Sequence, residues 1–436
     1  MKNILKQFLE KQLRYSPFFY KRLKEVQKLE KLSHAEVDKL QEKKFLFSLN
    51  KAYNQSPFYA SFYKENGVNI SRIKSVQDLQ YLPVITRQEV VEHRERIFIG
   101  NRFNKINAST SGTSGFTVRV YRDYQSIVEE GAYQWAHRIK FGHYPGMKTV
   151  VLRANLSLKD KELYNPFTKT LYLSSYHLNM ENAEWYYQRI KDFAPNAILA
   201  YPSSVESLAN FFTVLNKRLA VPVIFTSSET LYSYQREKIE KIFQSRIIDW
   251  YGNAERTIAL KEEEDGLYDQ VPLYSINEFE QDHIITTSLI NASFPLIRYK
   301  VDDTILLQED HHVFPLSSGR RTKEIQGRSD DVLSLPDGRR VGLICGAFDG
   351  VEHVLLSQIV QEDQYTFNVN MVVTPEYNNE DEALLKQQLE DYVGSHTPYT
   401  IRYISEDKII KSGSGKFKLI VNNMKEETQR SFSDIG

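Results

Sequence analysis

Apolar positions change their period twice along this chain of 436 residues. Over residues 1–100 they recur every three or four positions, as in LSHAEVDKLQEKKFLFSLNKAY, and the spacing predicts mostly helix. In DLQYLPVITRQEVVEH, Pro83 breaks the chain before a second helix. From about residue 105 strands and helices alternate. NKIN reads as a strand end and VRVYRD as an alternating strand, with an amphipathic helix over 123–141 carrying Ile127, Val128, Trp135 and Ile139. KTVVLR at 148–153 and AILAY at 197–201 read as strands. A loop at Pro202–Ser204 follows, then a helix with Val205, Leu208, Phe212, Leu215 and Leu219 on one face.

The next unit is the cleanest. VPVIFT is a strand, SSET a loop, LYSYQREKIEKIF a helix, and RIIDW a strand that ends at Tyr251–Gly252. Strand, helix and strand at this length predict a right-handed parallel crossover. Ligands of such sheets bind where loops leave the carboxyl ends of the strands, so the loops after Ala200, Phe225 and Trp250 form the expected site wall. Beyond about residue 330 the pattern becomes strand (YTFNVNMVV), helix (EDEALLKQQLEDYVG) and strand (YTIRYIS). That predicts a small α+β domain whose loop KSGSGK lies near the chain end, with a boundary near GRSDD at 327–331.

Composition narrows the function classes. Apolar and charged fractions of 41% and 26% are those of a globular protein. Lys+Arg and Asp+Glu are 56 each, so net charge gives no support for nucleic-acid binding. The single cysteine, Cys345, excludes an intrachain disulfide framework and a multi-cysteine zinc site, and fits a reducing compartment. No apolar run approaches the roughly 20 residues of a membrane span. MKNILKQFLEKQ scatters charges through its apolar residues, unlike a secretory signal, so the expected location is the cytoplasm. Residues 1–31 carry nine Lys/Arg against three Asp/Glu, interleaved with Ile4, Leu5, Phe8, Leu9 and Leu13. Such a segment either packs on its own protein or lies on anionic lipid.

The run TSGTSG at 110–115 carries four hydroxyls and two glycines. It can wrap an anion with N–H and O–H donors, although by itself it is equally an ordinary turn. SGSGK is not a phosphate-binding P-loop: Ile410 stands where that motif needs glycine, and Phe417 where it needs Ser or Thr. No G-x-S-x-G elbow is present, and His311–His312 are adjacent rather than at helical ligand spacing.

Six segments in order make these pieces informative: TSGTSG (110–115), SSET (227–230), YGNAE (251–255), RYKVDD (298–303), GRSDD (327–331) and SGSGK (412–416). The set resembles the adenylate-forming superfamily of acyl- and aryl-CoA ligases, adenylation domains and luciferases. More narrowly it is similar to the phenylacetate–CoA ligase-like branch that includes CapK-type capsular-polysaccharide proteins. SPFYASFYKENGV and DLQYLPVITRQEV also resemble that branch, so the likeness runs nearly the whole length.

The resemblance implies an α/β protein: a large N-terminal domain with parallel sheet units and a small mobile C-terminal α+β lid. Residues 1–100 would be its mostly helical part, 101–330 the AMP-binding core and 331–436 the lid. ATP and Mg²⁺ would serve to adenylate a small carboxylate substrate. The donors of Thr110, Ser111, Gly112, Thr113, Ser114 and Gly115 would hold the β- and γ-phosphates, with Thr113 counted among the catalytic groups and Ser228 and Glu229 beside the nucleotide. Tyr251 would stack on adenine next to Gly252. Glu255 matches the acid that holds Mg²⁺, and Asp303, or its neighbour Asp302, the acid that accepts from the ribose hydroxyls. Arg328 matches the junction arginine, and Asp331, or Asp330, the hinge. Lys416, delivered by the lid, would neutralise the carboxylate and the α-phosphate as they meet. Tyr201 and Ser203 are candidates for the acid pocket.

Some residues depart from the pattern. TSGTSG continues into Phe116–Thr117, where many relatives have lysine and proline, and LPDGRRVGL replaces a glycine-rich run that meets the acceptor. CoA and a saccharide therefore both stand as acceptors, with acyl or adenylyl transfer to a sugar or polymer as one alternative. A non-catalytic nucleotide-binding scaffold is the alternative from another class. Lys416, Glu255 and Asp303 argue against it, because a scaffold has no use for all three.

Overall fold

The computed structural model describes residues 7–8, 11–12, 14–109, 119–153, 160–280, 283–301, 303, 304–307, 321–328, 333–335, 340–341, 344–348, 351–363, 366–410 and 419–423. Helices dominate the first hundred residues, as their spacing predicts: α1 (Pro17–Leu29), α2 (His34–Gln55), α3 (Pro57–Glu65) and α4 (Arg87–Ile97). Local chemistry sets their starts. Ser16 and Ser56 accept from the first-turn amides ahead of a proline, while Ser33 and Thr86 form reciprocal capping boxes with Glu36 and Glu89.

An antiparallel hairpin of β1 (Ile106–Ser109) and β2 (Arg119–Arg122) leads into α5 (Tyr124–Lys140). The chain then lays down β3 (Thr149–Arg153), β4 (Glu162–Asn165), β5 (Thr170–Ser174), α6 (Ala183–Phe193), β6 (Ala197–Ala200), α7 (Pro202–Val214), β7 (Val223–Ser227), α8 (Ser233–Phe243) and β8 (Arg246–Gly252). There follow β9 (Ala259–Glu262), β10 (Tyr268–Gln270), the antiparallel trio β11 (Ser275–Phe279), β12 (Ile284–Ser288) and β13 (Tyr299–Val301), then β14 (Asp303–Leu307) and β15 (Arg321–Arg328).

Ten of these strands form one sheet in the order β14-β15-β10-β9-β8-β7-β6-β3-β5-β4. Its middle, β8-β7-β6-β3-β5, is parallel, and both flanks are antiparallel. The β7–α8–β8 unit is the parallel crossover expected from VPVIFT to RIIDW. Near-continuous apolar burial on both faces fits a sheet covered on both sides. Ile198, Ile224 and Ile247 share a core with α6, α7 and α8, while Val223, Phe225 and Ile248 form a second layer with Phe141 packed on it.

One expectation needs correction. Pro202–Ser204 is not a loop but the first turn of α7, because proline's fixed φ suits the first helical position and Val205 N already donates to Tyr201 O at 3.1 Å. The flanking strands β4, β9, β10, β14 and β15 carry no alternation clean enough to be read as strands; pairing with their neighbours in the sheet holds them.

The C-terminal part has β18 (Val354–Gln361), β19 (Phe367–Val373), α9 (Asn379–Val393), β20 (Tyr399–Tyr403) and β21 (Ile420–Asn422), after the short pair β16 (Leu333–Ser334) and β17 (Arg340–Val341). The four-stranded order is β20-β19-β18-β21, and Leu385, Leu389 and Val393 of α9 are buried with Ile359, Phe367, Val369 and Met371. This unit is not isolated. Leu355, Val372 and Ile409 join the core that contains Leu208 and Phe212 of α7, and Asn210 Nδ2 donates to Leu355 O at 2.6 Å. Met180 N donates to Glu406 Oε1 at 3.2 Å. At the other end of the molecule, α1 packs on α5 through Phe19, Leu23 and Val26, so its apolar face is spent on its own protein. Among the described residues no helix is long and apolar enough to cross a membrane.

Candidate active site

The carboxyl ends of β7 and β8 point at the expected site. Along β8 the side chains alternate, so Trp250 and Tyr251 leave opposite faces of the strand. Tyr251 is half-buried, and its hydroxyl donates to Asp303 Oδ2 at 2.6 Å, on the first residue of β14. Gly252 follows where the backbone is crowded. A Cβ there would lie 3.3 Å from the Ile258 carbonyl and from the Trp250 indole nitrogen, closer than most side chains tolerate.

Glu255, three residues on, is only 6% exposed. Tyr299, itself buried in β13, donates its hydroxyl to Glu255 Oε1 at 3.0 Å. The segments YGNAE and RYKVDD are therefore tied twice, by Tyr251–Asp303 and by Tyr299–Glu255. Arginines flank this carboxylate along the chain and across the hairpin. Arg122 donates to the Ala254 carbonyl, and Arg256, in the left-handed region at φ 57°, donates to Ser126 O at 2.7 Å. Burial, helped by the neighbouring Arg256, pulls the Arg122 guanidinium down to about 10, which still leaves it charged at neutral pH.

RYKVDD is anchored at its first residue, a role not read from the sequence. Arg298 makes a forked pair with Glu278, 3.0 Å from Nε and 2.8 Å from Nη2, and holds Gln80 and Leu82 by their carbonyls. Asp303 stands opposite Arg328 in the β14–β15 register.

The loops after β6 and β7 meet as well. Ser203 N, in the first turn of α7, donates to Glu229 Oε2 at 3.1 Å, so one carboxylate oxygen serves a helix N-terminus. Tyr201 and Ser203 are buried, at 8% and 6% exposure. Between them and β8, Ser228 adopts φ 74°, a left-handed conformation uncommon for a residue other than glycine.

On the Trp250 side of the sheet lies a recess bounded by Gln134, His137 and Arg138 of α5, Phe225, Thr226 and Ser227 of β7, and Trp250. The Arg138 guanidinium lies over the rings of Trp135 and Phe225, 5.2 and 6.0 Å from their centres. Burial holds His137 down to about 4, so it is neutral, and its Nε2 faces the Glu262 carbonyl at 2.7 Å as a donor. Beneath the strands, Asp249 accepts from Thr226 Oγ1 at 2.5 Å and from Tyr268 OH at 3.0 Å, and burial raises its carboxyl to about 7. Sequence reasoning missed Gln134, His137, Arg138, Asp249 and Trp250. The one available signal was Trp250, beside Tyr251 at a strand end.

Thr110, Ser111, Gly112, Thr113, Ser114, Gly115, Asp331 and Lys416, with the alternates Asp302 and Asp330, lie outside the described residues, and Arg328 is described in its backbone alone. Among the described residues no group of three or more His, Cys, Asp or Glu could hold a metal. Glu255 fits Mg²⁺ in another way. That ion keeps most of its shell as water and phosphate oxygen and takes one or two carboxylates, and Glu255 is a buried carboxylate held through one oxygen by Tyr299.

Comparison with known proteins bears on the fold. Residues 333–423 match the model of the CapK C-terminal domain. The chain is 26% identical over 432 residues to Protein CapK of Staphylococcus aureus, covering 94% of each. It superposes on 2-hydroxyisobutyryl-CoA ligase in the postadenylation state, in complex with R3-HIB-AMP, with a TM-score of 0.68 at 15% identity, over 89% of this chain and 90% of that one. On the same ligase in the thioesterification state, with 2-HIB-AMP and CoA, the TM-score is 0.55 at 16% identity, over 90% and 91% of the two chains.

Proposed function

We propose that this CapK-like chain, which has the fold of the adenylate-forming acid–CoA ligases, uses ATP to adenylate a carboxylate and then passes the acyl group to an acceptor. The observation that carries the reading is the double tie between YGNAE and RYKVDD. Through Tyr251–Asp303 and Tyr299–Glu255, three residues expected around one nucleotide share one corner of the sheet.

In the reaction a carboxylate oxygen attacks the α-phosphorus of ATP while the bond to the β-phosphate bridging oxygen breaks, giving an acyl adenylate and pyrophosphate. Tyr251 offers its ring to adenine while its hydroxyl orients Asp303. Asp303 accepts from the ribose hydroxyls and so fixes where the α-phosphorus stands. Glu255 would hold Mg²⁺, which when bound supplies charge neutralisation on the phosphate oxygens. The donors of Thr110–Gly115 take the β- and γ-phosphates, and Ser228 and Glu229 border the nucleotide from the neighbouring loop. Lys416 bridges the two approaching anions, with Arg328 and Asp331 at the junction about which the 331–436 unit turns. Each well-aimed donor to developing charge is worth about 3 kcal/mol.

The acid is expected among the 197–230 loops, where Tyr201 and Ser203, both buried, are the candidates to line its pocket. The fold overlaps more with that ligase in its postadenylation state, at 0.68, than in its thioesterification state, at 0.55. The acceptor is CoA or a saccharide, and the CapK likeness favours cell-surface polysaccharide biosynthesis.

Exchange of labelled pyrophosphate into ATP, screened over aryl, short-acyl, amino and sugar acids, tests the reading. One class of acid should support exchange; none doing so would leave the scaffold alternative. Adding CoA and looking for thioester separates the acceptors. Lys416→Ala should slow adenylation at least about a hundredfold with ATP binding nearly intact, and a variant that adenylates normally removes Lys416 from the chemistry.

A further inference from the structure

We infer that the outward face of α1 is a docking surface for an anionic lipid bilayer. The helix buries Phe19, Leu23 and Val26 against α5. Directly opposite, at spacings of three and four residues, stand Lys21, Lys24 and Lys28, all exposed, with Lys31 just past the helix end. Phe18 and Tyr20 border this stripe, one on each side, at 42% and 44% exposure.

The acids of the helix do not cancel the stripe. Glu25 pairs with Arg22 at 2.9 Å, and Glu30 pairs with Lys261 at 2.9 Å. Arg22 turns inward to Glu129 at 2.7 Å. Lys21, Lys24, Lys28 and Lys31 make no ion pair among the described residues. The chain as a whole is neutral, yet residues 1–31 hold nine basic against three acidic side chains.

Charge decides the sign of the partner, and the aromatic borders decide its class. A lysine stripe alone would serve any polyanion. Exposed Phe and Tyr at its margins match the interfacial zone of a bilayer, where an apolar ring and a polar tip both find partners. Because the apolar face of α1 is already occupied by α5, the binding is peripheral: lysines on headgroups, two rings at the headgroup level, and no insertion of the helix. Attraction to an anionic leaflet is worth about fivefold in partitioning per lysine near the surface, so four give a few hundredfold at low salt.

The test is co-sedimentation of the full chain with vesicles of phosphatidylglycerol and phosphatidylcholine, against vesicles of phosphatidylcholine alone. Binding should require the anionic lipid and fall steeply when salt is raised from about 50 to about 300 mM. The charge reversal K21E/K24E/K28E/K31E, confined to exposed positions, should lower partitioning at least about a hundredfold with an unchanged circular dichroism spectrum. F18S/Y20S should lower it about five- to tenfold, a loss that a general polyanion site would not register. Equal binding to both vesicle types, no binding to either, or indifference to the charge reversal would each overturn the inference. So would F18S/Y20S binding as wild type while RNA competes fully with the vesicles, which would make α1 a polyanion site.

Discussion

Tyr251→Phe removes one oxygen and little else. The ring stays in its half-buried place, and the hydroxyl's 2.6 Å donation to Asp303 is lost. A hydrogen bond to an ionised acceptor contributes about 1.5–3 kcal/mol. Asp303 is buried, so bulk water replaces the lost donor poorly. If that carboxylate is the ribose acceptor, its loosened orientation weakens its grip on the ribose equally in the ground-state complex and in the transition state. The loss is then uniform, and KM for ATP should rise at least about tenfold while kcat changes little. Asp303→Asn should cost more, about a hundredfold in kcat/KM for ATP, because an amide offers one acceptor oxygen and turns a donor toward the ribose. The double variant should resemble Asp303→Asn alone, with a coupling energy of at least about 1 kcal/mol. Pyrophosphate exchange at varied ATP gives the kinetic arm, and urea unfolding of each variant shows how much of the change is stability. An unchanged KM in Tyr251→Phe, or strictly additive effects, would make the pair a structural strut and refute the nucleotide assignment.

Two further predictions rest on other groups. Glu255→Gln keeps the volume and the oxygen that accepts from Tyr299, so stability should move little; exchange should fall about a hundredfold and need more Mg²⁺, and an unaltered Mg²⁺ dependence would discard Glu255 as the ligand. Asp249, raised by burial to about 7, keeps in the folded chain a proton that the unfolded chain releases near pH 4. Its contribution to stability is thus complete below about pH 4, declines by about 1.4 kcal/mol per pH unit, and is lost once pH passes about 7. Asp249→Asn should remove that decline, so the gap between variant and wild type in urea unfolding should widen from pH 5 to 7 and then level off; parallel profiles would rule it out.

The parts of the fold legible in the sequence were those with strong local signals. Pro83 and the strand–helix–strand from Val221 to Trp250 specify their own conformation before any tertiary contact forms. The antiparallel flanks were not legible. Strands such as Tyr268–Gln270, three residues long, owe their conformation to neighbours on both sides, and no period can show in so short a run. Pro202 was misread for a related reason: the same residue breaks a helix and begins one, and only the side from which the chain arrives decides. At the candidate site, Tyr251 opens one recognisable segment, and Glu255 and Asp303 each close one, which is what made them candidates. His137 and Arg138 were not, since a histidine and an arginine in the last turn of an amphipathic helix read as solvent-facing until the sheet beneath α5 is known.

The position of α7 joins these results. Its first turn is fixed by Glu229 from the loop after β7, and its flank carries the four-stranded unit through Asn210 and Leu355. Leu355, Val372 and Ile409 are buried in a core shared with the main sheet, so this docking is an apolar interface and not a tether. A unit that turns to deliver Lys416 must expose that surface or trade it for another of similar area, since a bare loss would cost about 25 cal/mol for each Å² uncovered. The proposed catalysis therefore requires two docked states rather than one docked and one free. α7, reaching from the Glu229 loop to the docking surface, is the element through which occupancy of the site can bias the choice between them.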